Sequence, residues 1–279
     1  MLLNFTKMQG LGNDFVVVDA TAQAFRPDAA LLERLTDRHF GVGCDQVLVI
    51  DPPPAADVDF GYRIYNADGS ESGQCLNGSR CVARFVRSRG LSNKARVRVR
   101  TQTSVLELEQ LDDGRVRVNT GVPRFEPAAI PLAGFAQAPV YSLVLGDDSR
   151  IDCGAVSMGN PHAVIQVTDV DTARVAEIGL ALQTHAAFPL RVNVGFLQIV
   201  DAGLARLRVF ERGAGETLAC GSGACAAMAV GRLWGKLGAD VEMRLLGGSL
   251  SLQWQGPGSE LWMTGPAETV FEGSVEWQK

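Results

Sequence analysis

The sequence predicts an α+β fold of two pseudo-symmetric domains, each a curved, mostly antiparallel sheet or barrel around a central helix. Three observations carry this. Polar landmarks recur in one order at a nearly constant offset, β-branched runs bounded by Gly, Pro and Asp dominate each half, and a helix-length segment follows the same landmark in both halves.

The offset comes first. Asn13 in GLGNDFVVV aligns with Asn160 in SMGNPHAVI, 147 residues on, and Gln46 aligns with Asn193 at the same distance. RIYN at 63–66 aligns with RVFE at 208–211, 145 residues on, and Cys75 and Cys220 each fall nine residues after that landmark. Thr120-Gly121 recurs as Thr264-Gly265, 144 residues on. Gly-rich turns resemble one another by chance, but chance does not keep order and spacing across most of both halves. The repeat therefore predicts one domain of residues 1–120 plus 265–279, carrying Cys75, and a second of residues 121–264, carrying Cys220.

Within each half, FVVV at 15–18, VLVI at 47–50 and VRVR at 97–100 read as strands, and the first half has one early helix near 28–38. GACAAMAVGRLW at 223–234 is long enough for three helical turns and apolar almost all round, which predicts a helix enclosed by other structure. Its counterpart is 77–88. The Pro-containing stretch at 121–139 is the expected crossover.

Of 279 residues, 46% are hydrophobic and 20% charged, the balance of a soluble globular protein, and the net charge of -5 has no basic run. Nucleic acid and membrane are excluded as expected partners, which leaves a small-molecule substrate. With no leader-like start and no stretch of roughly 18 apolar residues, a cytoplasmic protein is expected. Six cysteines are too sparse for a disulfide scaffold, and no CxxC pair or His cluster has zinc spacing. No pyridoxal-phosphate lysine context or dinucleotide fingerprint is present either. The expectation is no metal and no cofactor, so the cysteines would do the chemistry unaided.

Each half delivers its cysteine after a Gly/Ser-rich turn and just before the helix. The first helical turn presents N–H groups that the helix cannot satisfy, together with partial positive charge. Both are expected to lower a thiol pKa there and to bind a substrate carboxylate. Two such cysteines, one from each of two domains facing across a cleft, suit inversion at a Cα: one takes the proton from one face while the other returns a proton to the opposite face. Cys44, Cys81, Cys153 and Cys225 read as packing residues.

FTKMQGLGNDFVVVD, NADGSESGQCLNGSRC, MGNPHAV, RVNVGF and ERGAGETLACGSGACA together resemble the successive signature blocks of the diaminopimelate epimerase family, over residues 5 to about 273. The resemblance implies an isomerase that converts LL-2,6-diaminopimelate to the meso form in lysine and peptidoglycan precursor biosynthesis. It also implies no cofactor and a homodimer. It makes Cys75 and Cys220 the acid/base pair, with His162 and Glu211 adjusting their protonation. The implied substrate contacts are Asn13, Gln46, Asn66, Asn77, Asn160, Asn193, Glu211 and Arg212, with backbone groups at Leu76, Gly221 and Ser222. The halves share a scaffold but not a charge pattern, since His162 stands for Phe15 and Glu211-Arg212 for Asn66-Ala67. Arg212 suits a distal carboxylate and Glu211 an ammonium. The family has Gly where Leu76 stands, so strain is expected if that position needs φ > 0. It has Tyr where Phe271 stands, at a position linked with dimer packing.

Two other readings remain at this point. One is a thiol racemase of the proline racemase or hydroxyproline epimerase type, for which the distal polar set would be superfluous. The other is an amino-acid-binding relative that has lost the chemistry.

Overall fold

The computed structural model describes residues 2–23 and 25–276; residues 1, 24 and 277–279, which the expected first domain also included, lie outside the described residues. The chain forms two compact units, one of Met1–Val118 with Gly265–Lys279 and one of Asn119–Thr264.

The first unit begins with the hairpin β1 (Leu2–Gly10) and β2 (Asn13–Asp19). Its two-residue turn, Leu11-Gly12, has φ of 60° and 84°, the positive pair that matches strand twist in tight hairpins. Helix α1 (Ala29–Thr36) then crosses over to β3 (Gln46–Asp51), which lies parallel to β2. Asp28 caps α1 by accepting the Leu31 N–H at 2.9 Å. An antiparallel β4 (Phe60–Asn66) follows, then α2 (Leu76–Ser88), then β5 (Arg96–Arg100) parallel to β4, and the meander β6 (Val105–Gln110) and β7 (Val116–Asn119).

The second unit repeats this plan. β8 (Tyr141–Val144) and β9 (Arg150–Ser157) lead into β10 (Pro161–Gln166), and α3 (Val175–Gln183) crosses to a parallel β11 (Asn193–Asp201). β12 (Leu204–Glu211) turns through the short β13 (Gly215–Thr217) into α4 (Gly221–Leu233). β14 (Asp240–Leu245) is parallel to β12, and β15 (Gly248–Gln253) and β16 (Trp262–Gly265) complete the set. Last in the chain, β17 (Glu268–Glu276) returns to the first unit and pairs antiparallel with β1, as β8 pairs with β9.

Registers agree strand by strand. Phe15 faces Gln46 across the parallel β2/β3 pair, and His162 faces Asn193 across β10/β11. Phe60 faces Val99, and Ala205 faces Met243. In both units the run of pairings is antiparallel twice, parallel, antiparallel, parallel, then antiparallel twice. This is the α+β, mostly antiparallel class expected.

α2 packs on β17 and β1 at one side of its sheet and on β6 near the other. Flat, those strands would span about 29 Å at roughly 4.8 Å per step, whereas a helix is only about 10 Å across. The sheet must therefore curl around the helix. α4 likewise touches β9 through β12, β14 and β15.

The uninterrupted apolar runs follow from burial on both faces. Val16, Val18, Val47 and Val49 pack with Leu31, Leu32 and Leu35 of α1, while Leu48 points the other way, against Gly78 of α2. In the second unit, Ala163, Ile165, Val194 and Phe196 pack with Val175 and Leu182 of α3. α3 had no counterpart in the sequence reading. Its apolar residues Val175, Ile178 and Leu182 have helical spacing, but Ala and Gly around them dilute the stripe.

Candidate active site

In each unit the cysteine is the N-cap of the enclosed helix. Cys75 has extended backbone (φ -143°, ψ 106°) and its Sγ accepts the Gly78 N–H at 3.4 Å; Cys220 (φ -120°, ψ 111°) accepts the Gly223 N–H at 3.3 Å. A sulfur thus takes the place that a Ser or Asp oxygen takes in an ordinary cap. Leu76 and Gly221 are the first helical residues, and Leu76 is not among the residues with positive φ. The strain considered for it is therefore absent: helical backbone suits Leu as well as Gly.

Around Cys75 the first unit gathers amides. Asn13 Oδ1 lies 3.9 Å from the sulfur and accepts Asn77 Nδ2 at 3.4 Å, while Asn13 Nδ2 donates to Asp45 Oδ2 at 2.8 Å. Gln46 and Asn66, paired across β3/β4, bond each other through Nε2 and Oδ1 at 2.8 Å, and Asn66 Nδ2 donates on to Ser70 Oγ at 3.0 Å. The Tyr62 hydroxyl donates to the Cys75 carbonyl at 3.4 Å and is raised well above the usual phenol range by burial.

Around Cys220 the second unit adds charge. Ser222 Oγ is 3.5 Å from the sulfur, Asn160 Nδ2 donates to that hydroxyl at 3.4 Å, and His162 Nε2 is 2.9 Å from Asn160 Oδ1. His162 so connects to Cys220 through Asn160 and Ser222. Burial, with the Arg212 charge adding, pushes its imidazole down to about 3, so it is neutral. Since a carboxamide oxygen can only accept, His162 carries its proton on Nε2. Asn193 spends both ends of its carboxamide on backbone: Nδ2 donates to Pro161 O at 3.1 Å and Oδ1 accepts the Arg212 N–H at 2.9 Å. The exposed Arg212 side chain donates to Leu190 O at 3.0 Å, and Glu211 accepts from Thr217 Oγ1.

One electrostatic expectation is corrected. The helix N-terminus should lower a capping thiol's pKa, yet Cys220 is raised well above the usual thiol range. Burial is the largest cause, and the Glu211 carboxylate beside the sulfur adds to it, outweighing the Gly223 and Ser222 contacts that favour thiolate. Burial also pushes Cys44, Cys81 and Cys153 up to about 12.

Asp45, Tyr62, Ser70 and Thr217 of these clusters were not singled out from sequence, nor was Arg80, buried in α2 with Nη1 donating to Asn77 Oδ1 at 3.0 Å. A signal existed for Arg80. It is a charged residue in the middle of a helix expected to be enclosed, with Cys225 at the equivalent place in the second half. Among the described residues, no three His, Cys, Asp or Glu converge in a way that could hold a metal ion, and no helix is long and apolar enough to cross a membrane.

A family model described as diaminopimelate epimerase matches residues 5–126 and 154–270. A diaminopimelate epimerase from Azoarcus sp. (strain BH72) is 54% identical over 276 residues, covering 99% of each chain. A hydroxyproline epimerase from Agrobacterium vitis, solved with trans-4-hydroxy-L-proline bound, superposes with a TM-score of 0.72 at 16% identity, covering 98% of this chain and 92% of that one. A phenazine biosynthesis protein of the PhzF family from Bacillus anthracis gives 0.66 at 16% identity, covering 99% and 100%. At these identities the two structures share the fold alone.

Proposed function

The chain belongs to the diaminopimelate epimerase family, an isomerase family, and from that premise we propose that it interconverts LL- and meso-2,6-diaminopimelate through Cys75 and Cys220, without a cofactor. The observation that carries the mechanism is the repeat of one device: an N-cap cysteine on the enclosed helix of each unit, backed by first-turn N–H groups.

Inversion at Cα needs a base on one face and an acid on the other. With one domain (1–120 plus 265–279) supplying Cys75 and the other (121–264) supplying Cys220, one sulfur serves each face. The N–H groups at Leu76 and Asn77, and at Gly221 and Ser222, suit the substrate α-carboxylate, and charge that develops towards it on deprotonation is stabilised there. Asn13, Gln46, Asn66, Asn160 and Asn193 complete the polar lining. Glu211 suits an ammonium group and Arg212 a distal carboxylate.

Burial chiefly, and the Glu211 charge in addition, hold Cys220 as a thiol, ready to act as acid. An ammonium paired with Glu211 removes the second of these effects. Substrate binding thus brings Cys220 closer to the thiolate needed when it acts as base. His162, neutral, orients Asn160 and through it Ser222.

We place the reaction in the cytoplasm, in lysine and peptidoglycan precursor synthesis, and propose a homodimer, for which the exposed Val270 and Phe271 on β17 are candidate contacts. The reading is tested by offering LL-diaminopimelate and L-proline to the reduced enzyme. Isomerisation of the first and not the second is expected; faster turnover of proline would favour the proline racemase type, and turnover of neither a binding protein.

A further inference from the structure

Asn13 and Asn77 belong to a hydrogen-bonded chain within the first unit whose two ends are charged. Arg80, fully buried in α2, donates from Nη1 to Asn77 Oδ1 at 3.0 Å and is itself held through Nε by the Pro266 carbonyl at 2.9 Å. Asn77 Nδ2 donates to Asn13 Oδ1 at 3.4 Å, and Asn13 Nδ2 donates to Asp45 Oδ2 at 2.8 Å. Asp45 is fixed in turn: its Oδ2 also accepts the Asp14 N–H at 3.1 Å and its Oδ1 takes Arg38 Nη2 at 2.8 Å.

A guanidinium only donates and a carboxylate only accepts. A carboxamide between ambivalent neighbours can turn over at little cost. Here, turning either amide would set donor against donor or acceptor against acceptor. The direction Arg80 to Asn77 to Asn13 to Asp45 is therefore fixed from both ends, and with it the atom that Asn13 shows to Cys75, its oxygen. The second unit is built the other way: Asn160 turns its oxygen to His162 and its nitrogen to Ser222, and Cys225 stands 145 residues on from Arg80.

We propose that Arg80 and Asp45 are positioning residues for the chemistry at Cys75, acting together to lock the Asn13 carboxamide with its oxygen towards the sulfur, so that Cys75 meets an acceptor and its thiol form is favoured. Its catalytic meaning rests on the epimerase reading, but the lock can be read without turnover. Tyr62 on β4 and Cys81 on α2, whose charges act on that of Cys75, do not titrate in its place: the first is raised well above the phenol range and the second to about 12, both chiefly by burial.

The test replaces each single-polarity end with an ambivalent group of similar shape, Arg80→Gln and Asp45→Asn. Singly, the remaining end still sets the direction; together, neither does. Two readouts are taken: kcat and KM with LL-diaminopimelate, and the pH midpoint of Cys75 alkylation by iodoacetamide, followed on the Cys75 peptide by mass spectrometry. Each single variant should lose roughly threefold in kcat/KM, and the double variant roughly a hundredfold, more than the product and mostly in kcat. Only the double variant should lower the alkylation midpoint, by about half a unit to one unit, because the freed carboxamide can then turn an N–H to the sulfur. Arg80→Lys in place of Arg80→Gln still only donates and should restore both readouts.

Losses that multiply with an unmoved midpoint would overturn the lock, as would a failure of Arg80→Lys to rescue. Should Arg80→Gln not fold, neutron diffraction on the wild-type protein distinguishes nitrogen from oxygen directly: nitrogen of Asn13 on Asp45 supports the lock and oxygen there overturns it. If the alkylation shifts hold but diaminopimelate is never turned over, the lock stands and the epimerase reading falls.

Discussion

His162 occupies in the second unit the place of Phe15 in the first, which puts a titratable ring into a position only 1% exposed. Burial favours its neutral form and pushes the pKa down to about 3. In the unfolded chain the same imidazole takes up a proton below about pH 6.5. The stability due to its burial is therefore fully present above that pH and is lost progressively as pH falls towards 3, by up to about 1.4 kcal/mol per pH unit. Asp14, held well below the usual carboxylate range by Arg38 and Lys7 despite burial, adds a loss of the same sign at low pH. His162→Phe isolates the histidine. Urea denaturation of variant and wild type at about pH 7 and about pH 4.5 should show the variant gaining relative stability at the lower pH. A stability difference that is the same at both values would contradict a buried, neutral His162.

The enclosed helices join packing to chemistry at a single glycine each. Gly78 and Gly223 supply the N–H that caps the sulfur, and an added side chain would be blocked at the first and crowded at the second. A Cβ on Gly78 would run into the Tyr62 hydroxyl, and one on Gly223 would lie 3.1 Å from Val209 Cγ1 and 3.3 Å from the Cys220 sulfur. Helix propensity favours Ala over Gly by about 1 kcal/mol, whereas overpacking a core costs about 1 to 3 kcal/mol. Gly78→Ala should therefore be destabilising on balance in thermal unfolding. Gly223→Ala should instead move the sulfur and lower kcat by roughly ten- to a hundredfold, with a smaller effect on stability. A Gly223→Ala enzyme with normal kcat would show that sulfur placement at this cap is not critical.

α4 was legible in sequence because it is apolar on most faces, as an enclosed helix must be, and α2 was legible as its counterpart in the repeat; the cap position follows from the turn before each. α3 was not legible, because a crossover helix with one narrow buried stripe needs its sheet to give it meaning. Arg80 and Asp45 were hidden for a related reason: the carboxamides they polarise come from residues 13 and 77, and only the folded sheet brings these together. The sign of the Cys220 shift was misread because the helix terminus is a local feature, while burial, the larger effect, is tertiary.

For the molecule as a whole, the repeat accounts for the position of the last strand. The second unit opens with β8 against β9, but the first opens directly on β1, and β17 from the far end of the chain fills the equivalent place. Setting the short β13 aside, each unit is thereby, over the described residues, an eight-stranded copy of the other with its own capped cysteine. Duplication supplies two equivalent thiols, and divergence at Phe15/His162, Asn66/Glu211 and Arg80/Cys225 gives them different surroundings.

The central claim is that one sulfur serves each face of the Cα, so that neither suffices alone. The direct measurement is conversion of LL-diaminopimelate in deuterated solvent by the wild type, Cys75→Ser and Cys220→Ser, following stereochemistry and Cα deuterium together in each reaction. The wild type should form meso product carrying solvent deuterium, and each variant should fold normally yet lose net epimerisation. Near-normal turnover by either variant would contradict the two-thiol mechanism.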